Sequence, residues 1–134
     1  AAVRAGLGSI IGSPLQQGAL ARRYDDEISS GAPWLSSPRR RQFSELYALL
    51  DELDMPIVEM AMRFVISNSD ISCVLSGSRS SSEIESNIAA VEKGPLSNDV
   101  IKRIDEIAQK VPFRPFEEPF GLPFGREYPG PGIA

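Results

Sequence analysis

Only two stretches of this chain read as β-strands, residues 7–12 and residues 72–76, and a long, mostly helical segment separates them. A sheet of two strands is marginal by itself in water. At 134 residues the chain has the length of a single domain, and a self-contained domain of that size buries roughly two thirds of its unfolded surface. With so little sheet, and with the first strand so near residue 1, these residues are expected to be part of a larger α/β fold.

Each strand runs into a polar turn. The first leads into Ser13-Pro14-Leu15-Gln16-Gln17-Gly18-Ala19-Leu20, the second into Gly77-Ser78-Arg79-Ser80-Ser81-Ser82-Glu83-Ile84-Glu85-Ser86-Asn87. The second segment opens an amphipathic helix, where unpaired backbone N–H groups, the positive helix end and the Arg79 guanidinium meet; an anion binds well in such a place. Ser80-x-x-Glu83 also fits a capping box, in which the two side chains satisfy the helix's own N–H groups. Locally the two readings are both open. In a parallel α/β unit, loops that follow strands emerge on one side, so the two turns are expected to converge.

The segments between are helical. Ser37 as N-cap and Pro38 at the first position begin a helix with Phe43, Leu46, Tyr47, Leu50 and Leu53 on one face. Ile57, Met60, Ala61, Phe64 and Val65 repeat at the core-facing spacing of a second helix starting near Pro56. Ile84, Ile88 and Val91 are expected to point inward on a third, which ends at Gly94-Pro95; Ser97 caps a fourth, carrying Val100, Ile101, Ile104, Ile107, Ala108 and Val111, which Pro112 stops. Residues 25–37 lack helical periodicity and read as an irregular excursion anchored by Trp34. Arg39-Arg40-Arg41 point about 100° apart on a helix and read as a solvated face.

Composition narrows the chemistry. The formal charge of −4 and a pI near 4.9 argue against a nucleic-acid surface or an anionic membrane surface. No apolar run approaches the roughly 20 residues of a membrane span, and Ala1-Ala2-Val3-Arg4 lacks the layout of a signal peptide, so a cytoplasmic location is expected. One cysteine, Cys73, allows no internal disulfide and reads as a small buried hydrophobe; no cluster has metal-ligand spacing. Histidine is absent, which removes the commonest general base and any Ser-His-Asp arrangement.

Residues 112–134 hold six of the eleven prolines and four of the six phenylalanines, with no period of either kind. They read as a tail whose aromatics pack on a preformed surface, against a structured segment of residues 1–111.

Three motifs in order resemble the C-terminal part of the aldo-keto reductase family. Residues 13–20 are similar to its S-P-L-x-x-G-x-L segment, Met60-Ala61-Met62-Arg63-Phe64-Val65 to its A-L-R-F helix, and residues 77–87 to its G-x-R-x-x-x-Q-x-x-x-N segment. The resemblance covers about residues 5–110. It implies the last two β/α units of a (β/α)8 TIM barrel, a fold whose terminal loops commonly bind phosphate, and NAD(P)(H)-dependent oxidoreductase chemistry. Carried over, Ser13, Leu15, Gln17 and Gly18 line the pyrophosphate, while Gly77, Ser78, Arg79, Glu83 and Asn87 hold the adenosine end.

The resemblance also implies what lies elsewhere. The family's catalytic Asp, Tyr, Lys and His belong to earlier strands; Tyr24, Tyr47 and Tyr128 do not fit the acid role, so no catalytic residue is assigned and these residues alone are expected to be inactive without the N-terminal barrel portion. Glu83 replaces the family's Gln or Arg and favours NAD, whereas Arg79 favours NADP; at i,i+4 spacing the two could instead pair with each other. Gly12 stands where many members place a nicotinamide-stacking aromatic and resembles the sugar-oxidising branch, which implies a carbonyl or sugar substrate. Two rivals remain: a non-catalytic nucleotide-binding or regulatory subunit of the same fold, and a protein-interaction module using the Pro/Phe tail.

Overall fold

The computed structural model describes residues 2–32 and 35–111, so Trp34 and the expected tail at 112–134 lie outside the described residues. Two strands, β1 (Ile10–Gly12) and β2 (Cys73–Leu75), pair in parallel with Ile10 opposite Cys73, Ile11 opposite Val74 and Gly12 opposite Leu75. Both are shorter than the apolar runs that announce them. Before the pair, the Ser9 carbonyl still accepts the Ser72 (3.0 Å) and Cys73 (3.1 Å) N–H groups, but its N–H donates to a side chain, Ser72 Oγ (3.0 Å), and its hydroxyl donates to the Asp70 carbonyl (2.5 Å). Beyond it, Ser13 adopts φ 55°, which ends extended structure.

Five α-helices complete the described chain in the order β1, α1 (Asp25–Ser29), α2 (Ser37–Glu52), α3 (Ile57–Ile66), β2, α4 (Ser81–Glu92), α5 (Asn98–Gln109). The helix α1 corrects the expectation of an irregular segment. Its first turn is Asp25, Asp26 and Glu27, and three carboxylates at the positive helix end stabilise a turn that has no apolar period to reveal it. The N-cap of α2 is Ser36 rather than Ser37, its hydroxyl accepting the Arg39 N–H (3.3 Å). Ser97 caps α5 as expected, accepting the Val100 N–H (3.4 Å).

The core lies among the helices, not against the strands. Phe43, Leu46, Tyr47, Leu49 and Leu50 of α2 meet Ile57 and Met60 of α3 and Ile104 of α5, with Ala19, Leu35 and Leu96 from the connections. Each Leu, Ile, Phe or Met side chain among them contributes about 1.5–3 kcal/mol on burial. Buried Gln42 fastens α2 to α5, its amide donating to the carbonyls of Ile107 (2.9 Å) and Ala108 (3.0 Å) at the C-terminal end of α5, where the Lys110 and Val111 N–H groups also bond. Arg39 is buried too and donates to Gln42 Oε1 (2.5 Å), so the arginine run is not the solvated face expected of it.

Two apolar expectations are overturned. Ile84, Ile88 and Val91 of α4 are 50 %, 53 % and 38 % exposed, and the residue that α4 buries is Ala90. Cys73 is exposed, as are Ile10 and Leu75 beside it in the sheet. The helical period does mark an apolar face on α4, but α4 packs on α3 through its small side, leaving the isoleucine face with no cover among the described residues.

Candidate functional site

The turn after β1 is a series of tight, overlapping bonds. Gln16 N–H donates to the Ser13 carbonyl (2.9 Å), Gly18 N–H to Leu15 (3.0 Å) and Ala21 N–H to Gly18 (3.0 Å). Ser13 (φ 55°), Gln16 (φ 50°) and Gly18 (φ 95°) all occupy the left-handed region, which only glycine adopts without strain. Pro14 is buried beneath this turn. Strained backbone that lines a cavity is a recurrent property of ligand-binding loops.

The turn after β2 is tied to α4 by side chains. Asn87 Nδ2 donates to Ser76 Oγ (3.1 Å) and Ser78 Oγ (3.2 Å), so this asparagine is a fastening for the loop rather than a solvated helix residue. Ser80 Oγ accepts the Glu83 N–H (3.3 Å), and Glu83 Oε2 accepts the Arg79 N–H (2.6 Å). The capping reading of Ser80 and Glu83 is therefore realised, displaced by one residue from the usual box. Glu83 meets the backbone of Arg79 instead of its guanidinium, and that guanidinium has no ion pair among the described residues.

The two turns share one cavity of about 770 Å³. Of the residues expected there, Ser13, Leu15, Gly18, Gly77, Arg79, Glu83 and Asn87 line it; Ser78 is not part of the lining and accepts a bond from Asn87, and the Gln17 side chain lies outside the described residues. A Cβ on Gly77 would meet nothing within 4 Å, so the cavity wall there is open rather than packed.

Sequence reasoning missed the far wall, which is lined by Pro56, Val58 and Glu59 at the start of α3 and by Ser86 and Ala90 of α4 with Lys93 at its C-cap. The one signal for it was Glu59 followed four residues later by Arg63 on an otherwise apolar helix. Burial alone would raise the Glu59 pKa, but the bonds from Lys93 (2.6 Å) and Arg63 (2.8 Å) outweigh it and hold the carboxyl below its usual range. Arg63 continues to the Gly94 carbonyl (2.9 Å), where φ 76° ends the α4 turn, and so joins α3 to the end of α4.

Chemically, the cavity offers an unpaired guanidinium, a helix start and small side chains around an open floor. The N–H groups of Ser81 and Ser82 have no partner among the described residues. These features fit a nucleotide carrying phosphate. Among the described residues no group of acids, cysteines or histidines could hold a metal ion, and no helix is long and apolar enough to cross a membrane.

A cavity walled by loops at the carboxyl ends of two parallel strands, with helices between and after them, defines an α/β protein with a ligand-sized cleft at its strand ends. The aldo/keto reductase family model matches residues 1–109, and this chain belongs to that family. It is similar to a protein of Arabidopsis thaliana named "Probable voltage-gated potassium channel subunit beta", 28 % identical over 124 residues, with 82 % of this chain and 38 % of that protein covered. A protein of Schizosaccharomyces pombe with a corresponding name is 25 % identical over 122 residues, covering 80 % of this chain and 36 % of its own length. The chain thus spans less than two fifths of these relatives.

Proposed function

We propose that these residues form the last two β/α units of a (β/α)8 barrel that is an NAD(P)(H)-dependent oxidoreductase of the aldo-keto reductase type. In this reading residues 1–111 are the structured C-terminal segment, and Ser13, Leu15, Gln17, Gly18, Gly77, Ser78, Arg79, Glu83 and Asn87 serve the adenine-nucleotide half of the site. The observation that carries it is the convergence of two loops, from strands paired in parallel, on one cavity. Bound there, the dinucleotide supplies hydride for a carbonyl or accepts it from an alcohol. Arg79 offers its free guanidinium to phosphate, and Asn87 keeps the loop in place.

The remainder of the barrel would supply the substrate side and proton transfer, and would cover Ile10, Leu75, Ile84 and Ile88, which stand exposed. The short span relative to the two relatives supports such a missing portion. The test is titration of the complete polypeptide with NADH and NADPH, followed by an assay of carbonyl reduction. Micromolar binding and turnover are expected; absence of binding by both cofactors would sink the reading.

A second reading, a nucleotide-binding regulatory subunit, is favoured by the names of the two relatives. It shares the binding result and differs in turnover. Binding without reduction of any aldehyde, ketone or sugar would select it.

A further inference from the structure

We infer that Tyr24, which lies outside the cavity lining, is the positioning residue for the strained wall at residues 13–18; the inference rests on the nucleotide reading above. Three left-handed residues in a six-residue turn persist only where neighbours over-determine the backbone. Gly18, the last of them, lines the cavity, and its carbonyl receives two donors: the Ala21 N–H (3.0 Å) and the Tyr24 hydroxyl (3.3 Å). The first bond is local and moves with the turn. The second comes from a side chain fixed to the core.

Three contacts among the described residues contribute to that fixation. The Tyr24 N–H donates to the Tyr47 hydroxyl (3.0 Å), and the Tyr24 ring stacks on Phe43 with centroids 6.0 Å apart and planes 14° from parallel. Phe43 stacks in turn on Tyr47 at 5.8 Å, and both are buried in the helical core. The Arg22 guanidinium lies 3.9 Å from the centroid of the Tyr24 ring. Burial also raises the Tyr24 pKa above 10.0, so the hydroxyl keeps its proton and stays a donor throughout the neutral range. The chain of contacts therefore runs from the core of α2, through one phenol, to the cavity wall.

Removing the hydroxyl leaves the stack and the local bond intact, so the wall loosens while the fold holds. The test uses Tyr24→Phe and Tyr24→Leu in the complete polypeptide, with three readouts: Kd for NADH and NADPH, melting temperature, and amide exchange at residues 16–21. Tyr24→Phe is expected to raise Kd about fivefold and speed exchange at Ala19 and Ala21, with the melting temperature close to wild type, as the loss of one hydrogen bond predicts. Tyr24→Leu loses the stack and lowers the melting temperature as well. The ring restored in Tyr24→Phe thus rescues stability without rescuing affinity.

Unchanged Kd together with unchanged exchange overturns the inference, and so does a Tyr24→Phe protein that fails to fold, because the hydroxyl would then serve global stability. If the wild-type polypeptide binds neither dinucleotide, the nucleotide reading fails separately. Exchange then decides alone: faster exchange in Tyr24→Phe sustains the positioning role, and equal exchange ends it.

Discussion

Asn87 reaches back from the second turn of α4 to Ser78 in the loop that leaves β2, with its amide nitrogen 3.2 Å from the serine hydroxyl and 3.1 Å from that of Ser76. The loop is thereby held against the helix that caps it. Replacing Asn87 with Ala removes both bonds at a half-buried position, and dinucleotide affinity of the complete polypeptide is expected to fall about five- to tenfold, with a small change in melting temperature. Fluorescence titration of the variant measures it. A Kd equal to wild type would show that the loop needs no such fastening.

Glu59 makes stability depend on acid pH. Its folded pKa is depressed below 4.5, so its contribution is fully present above the unfolded value and is lost as pH falls through the folded one. Unfolding stability should decline below about pH 4.5, and Glu59→Gln, which weakens the pairs with Arg63 and Lys93, should lower stability by about 2 kcal/mol at pH 7 and flatten that decline. Asp25, Glu27 and Glu52 are also held low by arginines, yet they are far more exposed and screened by solvent. Urea titrations from pH 3 to 7 test the difference.

Gln42 is the polar joint of the α2 and α5 pair. Gln42→Leu has a similar volume but leaves the Ile107 and Ala108 carbonyls, and Arg39 beside them, without this partner. A loss of about 0.5–1.5 kcal/mol is expected from denaturant unfolding, the usual net worth of a hydrogen bond, because both carbonyls keep the Lys110 and Val111 N–H groups. A neutral result would mean that water reaches the end of α5.

The exposed sheet gives a test of barrel closure. Cys73 is exposed among the described residues, and residues 1–134 taken alone are expected to react there with a thiol reagent at close to the rate of a free peptide. In the complete polypeptide, strand pairing over β2 is expected to slow that reaction at least tenfold, and Ile88→Asp should destabilise the complete protein while leaving residues 1–134 alone nearly unchanged. Equal labelling rates in both would sink the idea that missing strands cover this face.

Ser97, Pro56 and the Phe43–Leu50 face show where local pattern sufficed. Caps and periodic apolar residues depend on neighbours within a turn or two, so the four long helices and their order were legible from residue types. Nine cofactor-binding residues were expected for a different reason, through the resemblance of two loops to known motifs, and what the structure shows of that expectation is that seven of them line one cavity. The helix α1 escaped because its stabilising carboxylates carry no apolar period.

Ile84, Ile88 and Cys73 mark the limit of that reasoning. A periodic stripe specifies which side of a helix is apolar, a short-range property written in the spacing of residues. Whether the stripe is covered depends on which elements lie across from it, and α4 meets α3 through Ala90 instead. The same holds for the site: Glu59 and Lys93 are 34 positions apart, and Tyr24 reaches Gly18 through a hydroxyl, so only packing of the folded chain brings them to the cavity or to the loop that walls it. Residue types therefore settle the elements and their faces, while long-range contacts, which depend on how the helices dock, settle the cavity.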